Sequence, residues 1–348
     1  MGYWAAVLAG GSGTRFWPLS NSRRPKQFLP LAGERPLLLN SVERLEGLIP
    51  PERVLVVTGR SLVGPTAELL QALPEENILA EPKARSTAPA LAWASWHAWQ
   101  RDPDAVLLSL HADWHVEDDL AFRQSARRAL EVAVRYDVLV TVGMRPTRVE
   151  VGYGYIVPGA QLEEGVNRVE RFVEKPDARH AAALIERGAL WNSGLFAWSA
   201  RRFLAESEEV APEIGPHLEL LRSGDVEGFF DKVTPVAVDI SHFERSRRVA
   251  VVAGNFGWDD VGTWAALSRV RECDERGNVV VGQAQVFDSS GSVVWVEEGA
   301  VVVDGVENLV VVRAGGVTLV TTKDRAAYLK ELLEKLPSSV RDLPERGR

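Results

Sequence analysis

The chain has 348 residues, of which 46% are hydrophobic and 25% charged, and a formal net charge of −8. This composition points to a globular protein with one large domain and a smaller one, and the acidic balance argues against a nucleic-acid partner, which requires a basic face. A single cysteine, Cys273, excludes an intrachain disulfide or a cysteine-rich metal site. No apolar run reaches the roughly 20 residues of a membrane-spanning helix, and none near the start has the make-up of a signal peptide, so the expectation is a cytoplasmic protein with no membrane partner.

In chain order, short apolar runs alternate with longer stretches of helical period. Strands are expected over residues 4–9, 53–58, 105–110 and 138–142, with helices over 36–46, 61–72, 87–99 and 121–135 between them. This alternation predicts an α/β fold with a doubly wound, mostly parallel, Rossmann-like sheet, whose ligands lie in loops at the strand C-termini. Residues 152–198 read differently: a Gly-Tyr-Gly-Tyr strand, a hairpin-like segment over 166–174 and a helix over 178–187 suggest a substrate-covering insertion. After Cys273, valine-rich runs at 278–281, 293–297, 300–304, 309–313 and 317–321 are separated by glycine turns, as in a small β-rich domain with weak repetition. A helix is expected over 324–336. The expected division is a catalytic domain over 1–272, a β-rich domain over 273–336 and a mobile tail over 337–348.

The first strand runs into "AGGSGTRFWPLSNSRRPKQFL". Glycines here let backbone N–H groups approach an anion. The spacing of a Walker A loop is absent, and Phe16 stands where a dinucleotide fingerprint needs its third glycine. The cationic side chains of Arg15 and Lys26 shift the balance from a plain tight turn towards an anion-binding loop. Arg23 and Arg24 either raise the local potential or are simply solvated.

The same segment, followed in order by "EPKARSTAPALA", "HAD", "VGYGYI", "FVEKP", "WNSGLF" and "GWDDVGTW", resembles the sugar-phosphate nucleotidyltransferases, particularly the guanylyltransferases that act on mannose 1-phosphate. The resemblance implies that GTP and mannose 1-phosphate give GDP-mannose and pyrophosphate with Mg²⁺. It further implies that the C-terminal part is a left-handed β-helix-like unit used in a homodimer. Many bacterial members carry an additional isomerase domain; the length of this chain leads to the expectation of a single activity.

Carried onto this sequence, the family pattern makes Arg15, Lys26, Asp113 and Asp260 catalytic, the two aspartates holding the metal. Leu8, Gly10, Gly11, Ser12, Gly13, Thr14, Glu81, Arg85, Thr87 and Pro89 would bind the nucleotide. Tyr153, Gly154, Glu174, Lys175 and Asn192 would bind the sugar phosphate, with the backbone at Gly152. Guanine offers two donors on its pairing edge, so a carboxylate such as Glu81 is a natural reader of the base. Adjacent strand residues face opposite ways, so Glu174 and Lys175 require a bend, expected at Pro176. Asp259, beside Asp260, reads as a turn carboxylate.

Three departures bear on selectivity. Trp114 follows the first aspartate where the family has histidine, Ser86 replaces an asparagine, and Val151 replaces a threonine. The alternatives are the same chemistry on another hexose 1-phosphate or nucleotide, a metal site of His111, Asp113 and His115 on one strand face, and a non-catalytic nucleotide sensor.

Overall fold

The computed structural model describes residues 2–11 and 13–341, which group into two compact units. Unit 1 holds the residues up to Gly10, 41–112 and 116–258. Unit 2 holds 11–40, 113–115 and the residues from Asp259 onward. The units interleave along the sequence, so no single cut separates them. Among the described residues, no helix is long and apolar enough to cross a membrane.

The first part of the chain runs β1 (Tyr3–Leu8), α1 (Leu37–Glu43), β2 (Val54–Gly59), α2 (Val63–Leu69), β3 (Ile78–Glu81), α3 (Thr87–Arg101), β4 (Val106–His111) and the two-residue β5 (His115–Val116). It continues with α4 (Asp119–Tyr136), β6 (Leu139–Met144), β7 (Tyr155–Glu163), β8 (Val166–Val173), α5 (Ala178–Glu186) and β9 (Leu190–Ser199). Helices α6 (Ala200–Val210), α7 (Leu218–Arg222) and α8 (Val226–Lys232) and a π-helical turn, Asp239–Phe243, lead to β10 (Val249–Gly254) and the short β11 (Trp258–Asp259).

Unit 1 is organised on a nine-stranded sheet of order β3-β2-β1-β4-β9-β6-β10-β8-β7. Strands β1 to β4 are parallel neighbours, and β10 is parallel to β6. Their near-continuous apolar sequences follow from burial on both faces. Strand β9 runs antiparallel between β4 and β6, and β7 and β8 form an antiparallel pair at the edge, so the sheet is mixed. Helix α4 starts where the Asp118 side chain accepts the Ala121 N–H at 2.9 Å and stops at Asp137 in the left-handed region. Order reverses at β1/β4, the point where ligands bind in open α/β sheets.

A buried histidine sits in this core. His242 is fully inaccessible; its Nε2 meets Ser207 Oγ and its Nδ1 meets Ser241 Oγ, both at 2.8 Å, and its ring stacks on Phe203. Burial, reinforced by Arg245, lowers its pKa from 6.5 to about 3. The unfolded chain takes up this proton below about pH 6.5 and the folded one does not. The stability that neutral His242 supports is therefore complete above pH 6.5 and is lost as the pH falls towards 3, at up to about 1.4 kcal/mol per pH unit. Thermal melts between pH 7 and 4.5 should show a steeper loss for the natural chain than for His242→Gln; equal slopes would contradict this account.

Unit 2 closes on a second core. Phe16, Trp17, Leu19, Leu29 and Leu31, from the segment after the glycine loop, pack with Trp264, Leu267, Val279, Val293, Trp295, Val310 and Leu329. Trp264 donates its indole N–H to the Trp17 carbonyl at 3.3 Å and lies 5.1 Å from the Phe16 ring. Beyond α9 (Leu267–Val270) come β12 (Val279–Val281), β13 (Ala284–Phe287), β14 (Val293–Val296), β15 (Val301–Asp304), β16 (Leu309–Ala314) and β17 (Val317–Thr322). Parallel ladders β12-β14-β16 and β13-β15 stack Val279 on Val293 and Val293 on Val310, the regular repetition of a β-helix. Helix α10 (Leu329–Lys335) packs on this core. The tail expected from Pro337 begins instead with helix α11 (Ser338–Arg341), whose Arg341 carbonyl accepts the Trp17 indole N–H at 3.2 Å; residues 342–348 lie outside the described residues.

Candidate active site

Strands β1 and β4 end side by side, with Leu8 in register with His111 and the Ala112 N–H donating to the Leu8 carbonyl at 3.0 Å. Gly10 and Gly11 follow β1, both exposed and with open space where a Cβ would stand; Ser12 lies outside the described residues. Gly13 has a φ of 60° and caps a 3-10 turn, Thr14–Phe16. A Cβ at Gly13 would lie 2.5 Å from the Lys26 backbone nitrogen, so this close approach requires glycine. Arg15 is exposed and forms no ion pair among the described residues.

Unit 2 brings together three of the expected catalytic residues. Lys26 is only 6% exposed, and its Nζ donates to Asp113 Oδ2 at 3.0 Å and to the Asp260 carbonyl at 2.6 Å. An ammonium has three donors, which leaves the third for a ligand. Asp259 is committed elsewhere: it accepts the Arg269 guanidinium at 2.6 and 3.0 Å and the Val261 N–H at 2.8 Å. The Gly262 N–H donates to Asp260 Oδ1 at 3.1 Å. Arg24 pairs with Glu297 at 2.8 Å, a partly exposed contact, and the Arg23 and Arg24 N–H groups donate to Asn21 Oδ1. Arg24 thus holds a turn of unit 2.

In unit 1, Glu81 ends β3 and accepts the Arg85 N–H at 3.4 Å; burial pushes its carboxyl up, and that N–H partly offsets the shift. The Arg85 side chain donates to the Phe230 carbonyl at 2.8 Å, and Thr87 Oγ1 accepts the Val238 N–H at 2.9 Å. Both side chains therefore pin the loop before α3 to the 230–238 segment. Pro89 is buried in the first turn of α3, where its missing N–H costs nothing.

The sugar-phosphate set also lies in unit 1. Gly154 takes the Asn192 N–H on its carbonyl at 2.8 Å, and a Cβ there would stand 2.7 Å from Glu174 Oε2. Glu174 is paired with Lys175 Nζ. The bend expected at Pro176 occurs one residue earlier: Lys175 itself has a φ of 46°, which turns the chain just past the end of β8. Tyr153 is buried between Trp191 and Trp258 and accepts from Arg148 at 3.2 Å, so its hydroxyl faces the protein. The Gly152 N–H donates to Glu150. Asn192 is a β9 residue, 9% exposed.

One residue here has no sequence signal. Asp239 accepts Asn192 Nδ2 at 2.7 Å; burial and the neighbouring Glu174 charge push its carboxyl up, while His111 opposes. Backbone conformation marks the same places. Among the described residues, those with positive φ other than glycine, asparagine and aspartate are Ser86, Lys175 and Val261. Each falls in a different one of the expected nucleotide, sugar and metal motifs. Such strain, of order 1–3 kcal/mol per residue, persists where surrounding structure enforces it and clusters at functional sites.

The alternative of a metal site with His111, Asp113 and His115 on one continuous strand is not met. Strand β4 ends at His111 and β5 begins separately at His115, and no group of three metal-ligating side chains occurs among the described residues.

A mixed, largely parallel sheet bearing a glycine loop, in one chain with a β-helix, defines a class, and the comparisons agree. The nucleotidyl transferase family model matches residues 4–277, and that of a MannoseP isomerase/GMP-like β-helix domain matches 278–336. The chain belongs to the nucleotidyl transferase family. Within it, the chain is 39% identical to alginate biosynthesis protein AlgA of Pseudomonas putida over 98% of its own length and 72% of that protein. It is 34% identical to mannose-1-phosphate guanylyltransferase RfbM of Salmonella typhimurium, covering 98% and 74%. A solved structure described as a mannose-1-phosphate geranyltransferase from Thermus thermophilus is 37% identical, with a TM-score of 0.88 over 96% of this chain and 99% of that one.

Proposed function

We propose that the chain transfers the GMP unit of GTP to α-D-mannose 1-phosphate. A sugar-phosphate oxygen attacks the α-phosphorus in line, a new phosphorus–oxygen bond forms, and the bond to the β-phosphate oxygen breaks to release pyrophosphate. The attacking oxygen is already anionic, so the chemistry asks for positioning and charge neutralisation and for no protein nucleophile. The observation that carries this reading is the buried Lys26 ammonium, held by Asp113 and the Asp260 carbonyl with one donor to spare. Family membership and relatives named for mannose-1-phosphate guanylyl transfer supply the substrate pair.

Mg²⁺ belongs to the same reading. It typically takes one or two carboxylates, several waters and substrate phosphates, so the Asp113 and Asp260 carboxylates suit it. Bound there, the ion would neutralise phosphate charge. Lys26 would then steady the α-phosphate, Arg15 the β- and γ-phosphates, and Lys175 the sugar phosphate. A homodimer is part of this reading too: Phe287, Val302, Val320 and Tyr328 of unit 2 are exposed apolar side chains of the kind a subunit contact covers.

A panel of GTP, ATP, UTP and dTTP against mannose and glucose 1-phosphates, followed by pyrophosphate release, tests the assignment. GTP with mannose 1-phosphate should give the highest kcat/KM; preference for a pyrimidine nucleotide would overturn it. Glu81→Gln should cut the preference for GTP by about tenfold to a hundredfold, the worth of a charge-assisted hydrogen bond. Because its carboxyl is raised, Glu81 takes up a proton at a higher pH than an ordinary glutamate. The KM for GTP should therefore rise as the pH falls through that raised value, and this limb should be missing from the Gln variant.

A further inference from the structure

We infer that Asp239 is a positioning residue of the hexose subsite, fixing the direction in which the Asn192 amide presents its donor to a sugar hydroxyl. This rests on the proposed assignment of Asn192 to the sugar. A primary amide has two acceptor lone pairs and two donor hydrogens. Asn192 Oδ1 accepts the Thr141 hydroxyl at 3.0 Å and the Gly194 N–H at 3.2 Å. Its Nδ2 gives one hydrogen to Asp239 Oδ1 at 2.7 Å. A flipped amide would set its NH₂ against the Gly194 N–H, a backbone donor that cannot reverse, and would give up the bond from Nδ2 to Asp239 Oδ1. The amide is thus locked, and its second N–H is bonded to no described residue.

The locked donor lies at the sugar cradle. The Asn192 N–H holds the Gly154 carbonyl, and Gly154 is the glycine whose missing Cβ makes room for Glu174 Oε2. Asp239 reaches this point from the π-helical turn Asp239–Phe243. Burial and the neighbouring Glu174 charge push the Asp239 carboxyl up, while His111 and the Asn192 amide oppose the shift; in either protonation state the carboxyl offers Nδ2 an oxygen acceptor. The residue acts through Asn192, so its effect falls on sugar binding and leaves nucleotide binding alone.

The test is a double-mutant cycle with kinetics for both substrates. Asp239→Ala should raise the KM for mannose 1-phosphate about tenfold and leave the KM for GTP within about twofold. Asp239→Asn keeps an oxygen acceptor and should recover most of the loss. In an Asn192→Ala background neither substitution should add a further effect. Thermal melts accompany each variant; if Asp239→Ala does not fold, the smaller KM rise of Asp239→Asn and its disappearance in the Asn192→Ala background carry the test. Equal effects on both KM values, or an Asp239 effect that persists without Asn192, would overturn the inference. Failure of the natural chain to turn over GTP with mannose 1-phosphate would instead sink the functional assignment beneath it.

Discussion

Lys26→Met is expected to lower kcat by about a hundredfold to a thousandfold, the usual cost of removing one preorganised donor from a site of developing charge. In the structure the Lys26 ammonium is almost wholly withdrawn from water and bonded to Asp113 and to the Asp260 carbonyl. Its energetic role is double. It joins two segments far apart in sequence, and in the proposed reaction it meets negative charge that builds up as the bond to pyrophosphate breaks. Methionine keeps most of the volume and removes the charge. The two acceptors it leaves behind cost about 1–3 kcal/mol of stability, which a melt separates from the kinetic effect. Lys26→Arg should restore little, because a planar guanidinium cannot reproduce the geometry of a compact ammonium. Pyrophosphate release under saturating GTP is the measurement, and near-normal kcat in Lys26→Met would remove the residue from the chemistry.

The second large effect concerns neighbouring aspartates. Asp260→Ala and Asp113→Ala should each reduce Mg²⁺-dependent turnover by at least about a hundredfold, and chelation of the natural chain should abolish turnover until Mg²⁺ is returned. Asp259→Ala gives a different signature. That carboxylate is 6% exposed and engaged by Arg269 and the Val261 N–H. Its loss should lower the melting temperature, while the Mg²⁺ concentration for half-maximal activity stays unchanged. If Asp259→Ala instead shifted that concentration and Asp260→Ala did not, the assignment of the pair would be reversed.

Much of this arrangement is legible in the sequence because it rests on local patterns. Continuous apolar runs ending in glycine mark β1 and its loop, and the stretch 87–99 reads as the helix α3 that it forms. Strand β9 is harder to read, because Asn192, Ser193 and Gly194 in its middle carry turn chemistry. They sit in a strand because Thr141, Val142 and Asp239 satisfy their polar groups from other elements. The same reason hides Asp239: "VAVDISHF" contains no motif, and the residue acquires meaning only from a partner 47 positions away. Side-chain type alone likewise identifies Arg85 and Thr87 as polar loop residues without showing that backbone groups at 230–238 engage them. The bend at Lys175 is invisible for another cause, since nothing in lysine's chemistry favours a positive φ.

The packing of Phe16, Trp17, Leu19, Leu29 and Leu31 against Trp264, Trp295 and the β-helix strands has a bearing on inheritance. The family models meet between residues 277 and 278, yet that junction passes through one shared hydrophobic interior. A β-helix borrowed from a relative would arrive with the wrong knobs and hollows for the arginine-bearing loop and its lysine. A chimera should fold only when residues 16–31 are exchanged together with the C-terminal strands, and substitutions in these two stretches should be found to drift in concert across lineages.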